Sequence, residues 1–176
     1  MSDYKIIFSG PVGAGKTTAI NAISDIETVT TDEMASDMTR DQKPGTTVAM
    51  DYGIIKLEGA ERIHLYGTPG QQRFDFMWNI LTQGGIGLIL LINNQRPAPF
   101  QDMQFFLKAF KDFIDQNKVV IGITQMDLRN KPMIEDYHLQ LENSGVKIPL
   151  FDVDARVKKD VSLLVEALLY SLDPGL

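Results

Sequence analysis

Apolar residues follow two rhythms along this chain. Short runs that read as strands, Tyr4–Ser9, Ile86–Ile92, Val119–Thr124 and Ile148–Val153, alternate with longer stretches in which apolar residues recur every three or four positions. Turn residues stand at each junction. The last stretch, Lys159–Leu172, places Val161, Leu164, Val165, Leu168 and Leu169 on one helical face. Phe100–Gln116 and Met133–Asn143 repeat that spacing, and Lys16–Ser24 reads as the helix after the first strand. Val48–Leu57 and Arg62–Tyr66 are separated only by Glu58-Gly59-Ala60-Glu61, a connection so short that the two strands must run antiparallel.

The order β-α-β-β-α-β-α-β-α-β-α predicts an α/β fold: a doubly wound sheet of six strands, mostly parallel, with one antiparallel strand at an edge and helices on both faces. Runs as apolar as Ile86–Ile92 belong to strands covered on both sides. Asp25–Thr46 is the one long polar connection, and segments of that length usually carry function. Phe105, Phe106, Phe110 and Phe113 fall at helical spacing and are expected mostly in the core.

Composition narrows the class. With 176 residues, 44% of them hydrophobic and 23% charged, the chain is expected to form a single globular domain spanning 1–176. The longest apolar run is too short to cross a bilayer. Without cysteine among these 176 residues, disulfides, thiolate metal sites and palmitoyl or prenyl anchors are not expected. The strand-like pattern starts almost at the first residue, leaving no room for a secretory segment, so a cytoplasmic location is expected. A net charge of −6 and an isoelectric point near 4.9 argue against nucleic acid or an anionic membrane as main partner.

The chemistry is concentrated in Gly10-Pro11-Val12-Gly13-Ala14-Gly15-Lys16-Thr17, which follows a strand and opens a helix. Glycines let such a loop curl its N–H groups toward a phosphate, and the helix adds the positive end of its dipole. Lys16 is expected to reach the β- and γ-phosphates and Thr17 to ligate Mg²⁺. This cradle alone serves ATPases, kinases and GTPases alike.

Further motifs appear in a fixed order. Thr47-Val48-Ala49-Met50-Asp51-Tyr52, then Gly67-Thr68-Pro69-Gly70-Gln71, Thr124-Gln125-Met126-Asp127 and Asp154-Ala155-Arg156 resemble the switch I, switch II, base-reading and S-A-K segments of the Ras-like small GTPases. The resemblance spans essentially the whole chain. Tyr66–Gln71 is more narrowly similar to bacterial and archaeal Ras-like proteins that work with roadblock-domain partners. It implies a P-loop G-domain binding GTP or GDP with Mg²⁺, and slow hydrolysis raised by an activating protein. Thr47 would join Thr17 on the metal, with the adjacent Thr46 an alternative. Gly70 would offer its N–H to the γ-phosphate and Gln71 would orient the attacking water, with Gln72 a competitor. Asp127 would read the guanine N1–H and N2–H₂ edge, although a helix N-cap is its plain structural role. Thr18, Thr124, Gln125, Leu128, Asp154, Ala155 and Arg156 complete the expected nucleotide set.

Four residues depart from the family pattern. Gly67 stands where an aspartate usually holds the metal through water, leaving Asp32 or Asp51 as the available acids. Val12 often corresponds to glycine, Gln125 to lysine and Thr124 to asparagine. Two rival functions stay open: a P-loop ATPase or small-molecule kinase, because the cradle is shared, and a GTP-loaded scaffold that does not hydrolyse, which the glycine and the valine make plausible. Trp78, beside Phe74, Phe76 and Met77, is expected either in the core or on a partner-binding surface.

Overall fold

The computed structural model describes residues 3–30, 50–69, 75–129 and 132–173. Strand β1 (Asp3–Ser9) leads through the glycine-rich loop into α1 (Lys16–Ile23). A two-residue strand β2 (Val29–Thr30) precedes β3 (Asp51–Lys56), a short 3₁₀ turn (Glu58–Ala60) and β4 (Arg62–Gly67). Then follow α2 (Asp75–Thr82), β5 (Gly87–Asn93), α3 (Pro99–Ala109), α4 (Lys111–Gln116), β6 (Lys118–Thr124), α5 (Ile134–Asn143), β7 (Leu150–Asp152) and α6 (Lys158–Leu172).

These strands form one mixed sheet in the order β2-β3-β4-β1-β5-β6-β7. It has seven strands rather than the expected six, because Val29–Thr30 pairs with Tyr52 and Asp51. A two-residue strand inside a polar segment leaves no run of apolar alternation to read. As a result the antiparallel strand, β3, lies one place in from the edge, between β2 and β4.

Alternation along β1 builds two cores. Ile6 and Phe8 face α1 and α6, packing with Ile20, Leu65, Ile89, Leu91, Leu164 and Leu168. Ile7 points the other way, into a cluster with Leu88, Leu90, Ile92, Trp78, Phe106, Phe110 and Tyr137. Every residue of β5 is buried, as a central parallel strand requires. β7 is shorter than Ile148–Val153 and only partly covered, since it pairs with β6 alone.

The helix expected over Phe100–Gln116 is two helices. The chain bends at Phe110, whose backbone leaves helical geometry (φ −97°, ψ 13°) while its ring stacks on Trp78 at 5.1 Å. Phe106 and Phe110 are buried, and Phe105 and Phe113 are partly so, as their spacing predicts. Trp78 is 2% exposed, which places it in the core and not on a partner-binding surface.

Candidate functional site

The loop after β1 lies at the carboxyl ends of the parallel strands, the place where open α/β sheets bind ligands. Gly10 sits so close to β5 that a Cβ there would fall 2.0 Å from the Leu91 carbonyl oxygen. No side chain fits. Gly15 holds a left-handed φ of 95° as the residue that opens α1, a conformation costly for anything else.

Other elements tie this loop in place. Thr124 Oγ1 at the end of β6 donates to the Ala14 carbonyl at 2.8 Å, while Asn93 and Gln125 side-chain amides donate to Gly13 O at 3.1 and 2.9 Å. Lys16 Nζ donates to Gly10 O and Pro11 O at 2.7 and 2.8 Å. Burial pushes its pKa down to about 8, opposed by the nearby Asp51 carboxylate. Thr17 Oγ1 donates to Asp51 Oδ2 at 2.6 Å. Val12 is exposed on the loop surface.

Beside the loop lies a cavity of about 270 Å³ lined by Ala14, Gly15, Thr18, Thr124, Gln125, Asp127, Leu128, Asp154, Ala155 and Arg156. All ten are residues singled out in the sequence. They arrive from the α1 end of the glycine-rich loop, the β6 end and the loop after β7. Asp127 sits inside a 3₁₀ turn (Met126–Leu128) rather than capping a helix, and among the described residues no hydrogen bond reaches its carboxylate. Gln125 takes a left-handed φ of 60°, which turns its amide onto the Gly13 carbonyl.

The 154–156 loop is self-braced. Arg156 donates to the Asp154 carboxylate through its backbone N–H, Nε and Nη2 at 2.7 to 2.9 Å, which holds the Asp154 pKa down to about 2. Asp160, in the first turn of α6, accepts from the Asp154 N–H at 2.9 Å.

Sequence reasoning missed three supports: Asn93, Gln95 and Asp160. Gln95 Nε2 donates to the Gln125 carbonyl at 2.9 Å, and its N–H donates to Asn93 Oδ1 at 2.8 Å. The signal for Asn93 and Gln95 was the abrupt change from an apolar strand to consecutive amides at Asn93-Asn94-Gln95. Thr47, Gly70 and Gln71 lie outside the described residues, as do Thr46, Gln72 and Asp32.

Mg²⁺ fits the residues present. A Thr17 hydroxyl that gives its proton to a carboxylate keeps its lone pairs free for a cation. Among the described residues no group of three or more histidine or acidic side chains is arranged to hold a metal. A cation here would therefore draw ligands from bound phosphates, as Mg²⁺ characteristically does.

The chain is similar to an uncharacterized protein of Methanocaldococcus jannaschii, 26% identical over 122 residues that cover 69% of this chain and 68% of that one. It is also similar to the Ras-related proteins RABA1i of Arabidopsis thaliana (21% over 131 residues) and Rab11B of Nicotiana tabacum (24% over 129 residues). Each of these two alignments covers 72% of this chain and 55% of the relative, so the chain matches about half the length of either. A crystal structure of bacterial selenocysteine-specific elongation factor EF-Sec shares the fold, with a TM-score of 0.66 at 21% identity over 97% of this chain and 29% of the factor. Among the described residues no helix is long and apolar enough to cross a membrane. Residues 8–169 match the family described as "Conserved hypothetical ATP binding protein", and the chain belongs to that family.

Proposed function

We propose that this chain is a guanine-nucleotide switch that binds GTP and GDP with Mg²⁺ and hydrolyses GTP slowly. The observation that carries the reading is the cavity between the glycine-rich loop and residues 154–156, with the Asp127 carboxylate on its wall. A carboxylate with no hydrogen-bond partner among the described residues suits the two donors on the guanine N1–H and N2–H₂ edge, which adenine lacks. The Ala155 N–H and the braced 154–156 loop would meet the base's O6 side. Thr18, Gln125 and Leu128 would cover its remaining surface.

On the phosphate side the curled N–H groups and Lys16 would hold the β- and γ-phosphates, and Thr17 would ligate Mg²⁺. When bound, that ion would supply positive charge that offsets the charge of the phosphates. Thr47 is proposed as a second metal ligand, Gly70 as a γ-phosphate donor and Gln71 as the residue that orients water. From the family resemblance, a roadblock-domain protein is proposed as the activating partner.

The family description favours a second reading, an adenine-nucleotide enzyme on the same cradle. Thermal shifts with GTP, GDP, ATP and ADP separate the two. A nucleotide at a hundred times its dissociation constant stabilises the fold by about 2.7 kcal/mol. Guanine nucleotides are expected to raise the melting temperature and adenine nucleotides to leave it unchanged. The variant Asp127→Asn is expected to lose GTP and gain xanthosine triphosphate, whose edge replaces a donor with an acceptor. Stabilisation by ATP alone, or unchanged GTP binding in the variant, would overturn the guanine assignment.

A further inference from the structure

The Ras-like pattern expects a carboxylate at the end of β4, and this chain has Gly67 there. The sheet register puts Asp51, the first residue of β3, directly opposite Gly67. The Asp51 side chain is 4% exposed. It accepts two hydroxyl hydrogen bonds, from Thr17 Oγ1 to Oδ2 at 2.6 Å and from Thr30 Oγ1 to Oδ1 at 3.0 Å. Among the described residues no lysine or arginine pairs with it. A buried carboxylate whose hydrogen-bond partners among the described residues are neutral is expensive, and positive charge nearby offsets that cost; the Lys16 ammonium supplies part of it, and a cation on Thr17 would add to it.

Space links the two positions. A Cβ on Gly67 would lie 3.2 Å from both Cβ and Oδ2 of Asp51, and 3.1 Å from Ile20 Cδ1. A side chain at 67 and the Asp51 carboxylate would compete for one volume. The glycine therefore leaves room for the acid that arrives from the neighbouring strand.

We propose that Asp51 is the metal-site carboxylate of this chain, reaching from β3 into the place that β4 leaves open at Gly67, where it orients Thr17 toward Mg²⁺. This inference rests on the reading of the loop as an Mg²⁺-nucleotide site, but not on the identity of the base. Asp51 acts through the Thr17 hydroxyl, so it is a positioning residue. Such outer partners of a metal ligand typically change metal affinity 10- to 100-fold. Because Thr30 of β2 holds the other oxygen, the same carboxylate also ties the metal site to the strand that leads into the segment before β3.

The test is the release rate of a fluorescent nucleoside diphosphate, of whichever base binds, measured across a Mg²⁺ titration and in EDTA. For Asp51→Asn, which keeps the shape and one acceptor oxygen and turns the other position into an amide donor that a rotated hydroxyl can accept from, the Mg²⁺ concentration that half-maximally slows release is expected to rise at least about tenfold. The EDTA rate and the nucleotide-free melting temperature are expected to stay near wild type. The exchange variant Asp51→Gly/Gly67→Asp is expected to recover most of the Mg²⁺ response, whereas Gly67→Asp alone crowds two carboxylates and lowers the melting temperature. An unchanged Mg²⁺ midpoint in Asp51→Asn overturns the proposal, as does faster release by the same factor with and without Mg²⁺, the mark of a purely structural role. Should Asp51→Asn not fold, the exchange variant decides: a folded protein without a Mg²⁺ response overturns the proposal, and a restored response supports it. If wild-type protein binds neither base, the nucleotide reading itself fails and this inference falls with it.

Discussion

The indole Nε1 of Trp78 donates to the Pro69 carbonyl at 3.1 Å, tying α2 to the residue just before the Gly70-Gln71 pair. The same ring stacks on Phe106 and Phe110 at 5.2 and 5.1 Å, so one side chain joins α2, α3 and the end of β4. Trp78→Phe is expected to destabilise by about 1–3 kcal/mol, through a lost hydrogen bond and unfilled volume. Urea unfolding followed by circular dichroism checks this. Because Trp78 is the only tryptophan, its fluorescence in the native wild type should also resist quenching by iodide until the chain unfolds.

Thr124 offers a second test of how the site is braced. Its hydroxyl lies 2.8 Å from the Ala14 carbonyl and 3.3 Å from that of Ile92, inside the core. Thr124→Val keeps the shape and removes the donor, so a buried acceptor loses its partner at a cost of about 1–3 kcal/mol. Thr124→Ser should recover most of the stability. Equal melting temperatures for Val and wild type would show that the hydroxyl does not hold the loop.

The central strands were legible because each is long, apolar and buried on both faces, and the glycine-rich loop because its spacing is itself the mechanism. The ten residues of the base-side cavity were legible as separate motifs, and the fold brings them together from three places. What escaped the sequence depends on neighbours far along the chain. Val29–Thr30 is a strand only because β3 lies beside it. The bend at Phe110 follows from packing against Trp78, with no proline or glycine there to announce it. Asp51 was only one of two acids to consider until the register set it across from Gly67.

Tyr137 supplies a pH test away from the nucleotide site. Its hydroxyl donates to Asn94 Oδ1 at 2.6 Å in a buried setting, and burial pushes its pKa up to about 12. The folded state thus keeps this proton at pH values where the unfolded chain, near pH 10, has released it. Its contribution is fully present below about pH 10 and is lost as pH rises toward 12. Tyr137→Phe should be less stable than wild type at pH 8, and the gap should narrow between pH 10 and 12. A gap constant over that window would contradict the assignment.

Turnover follows from where the described arginines lie. Phosphoryl transfer needs positive charge on the developing γ-phosphate, and an arginine finger is worth about 10³–10⁵ in rate. Arg62 starts β4, at the end of the sheet away from the glycine-rich loop. Arg96 pairs with Asp102 at 2.6 Å, Arg156 pairs with Asp154 at 2.7 Å, and Arg129 donates to the Arg96 carbonyl. Arg40 and Arg73 lie outside the described residues. On the proposed reading, Lys16, together with the charge that a bound Mg²⁺ would supply, would hold the phosphates in the ground state as well as the transition state, while Gln71 would act on the attacking water. Intrinsic hydrolysis should therefore be slow, and a partner that supplies or positions an arginine should raise it by orders of magnitude. Gln71→Ala should remove the stimulated rate yet bind GTP within about threefold of wild type, because the oriented water belongs to the transition state. Single-turnover hydrolysis with and without a roadblock-domain protein, beside equilibrium GTP binding, measures both quantities. Rapid turnover by the protein alone, or normal stimulation of the Gln71→Ala variant, would remove Gln71 from this role.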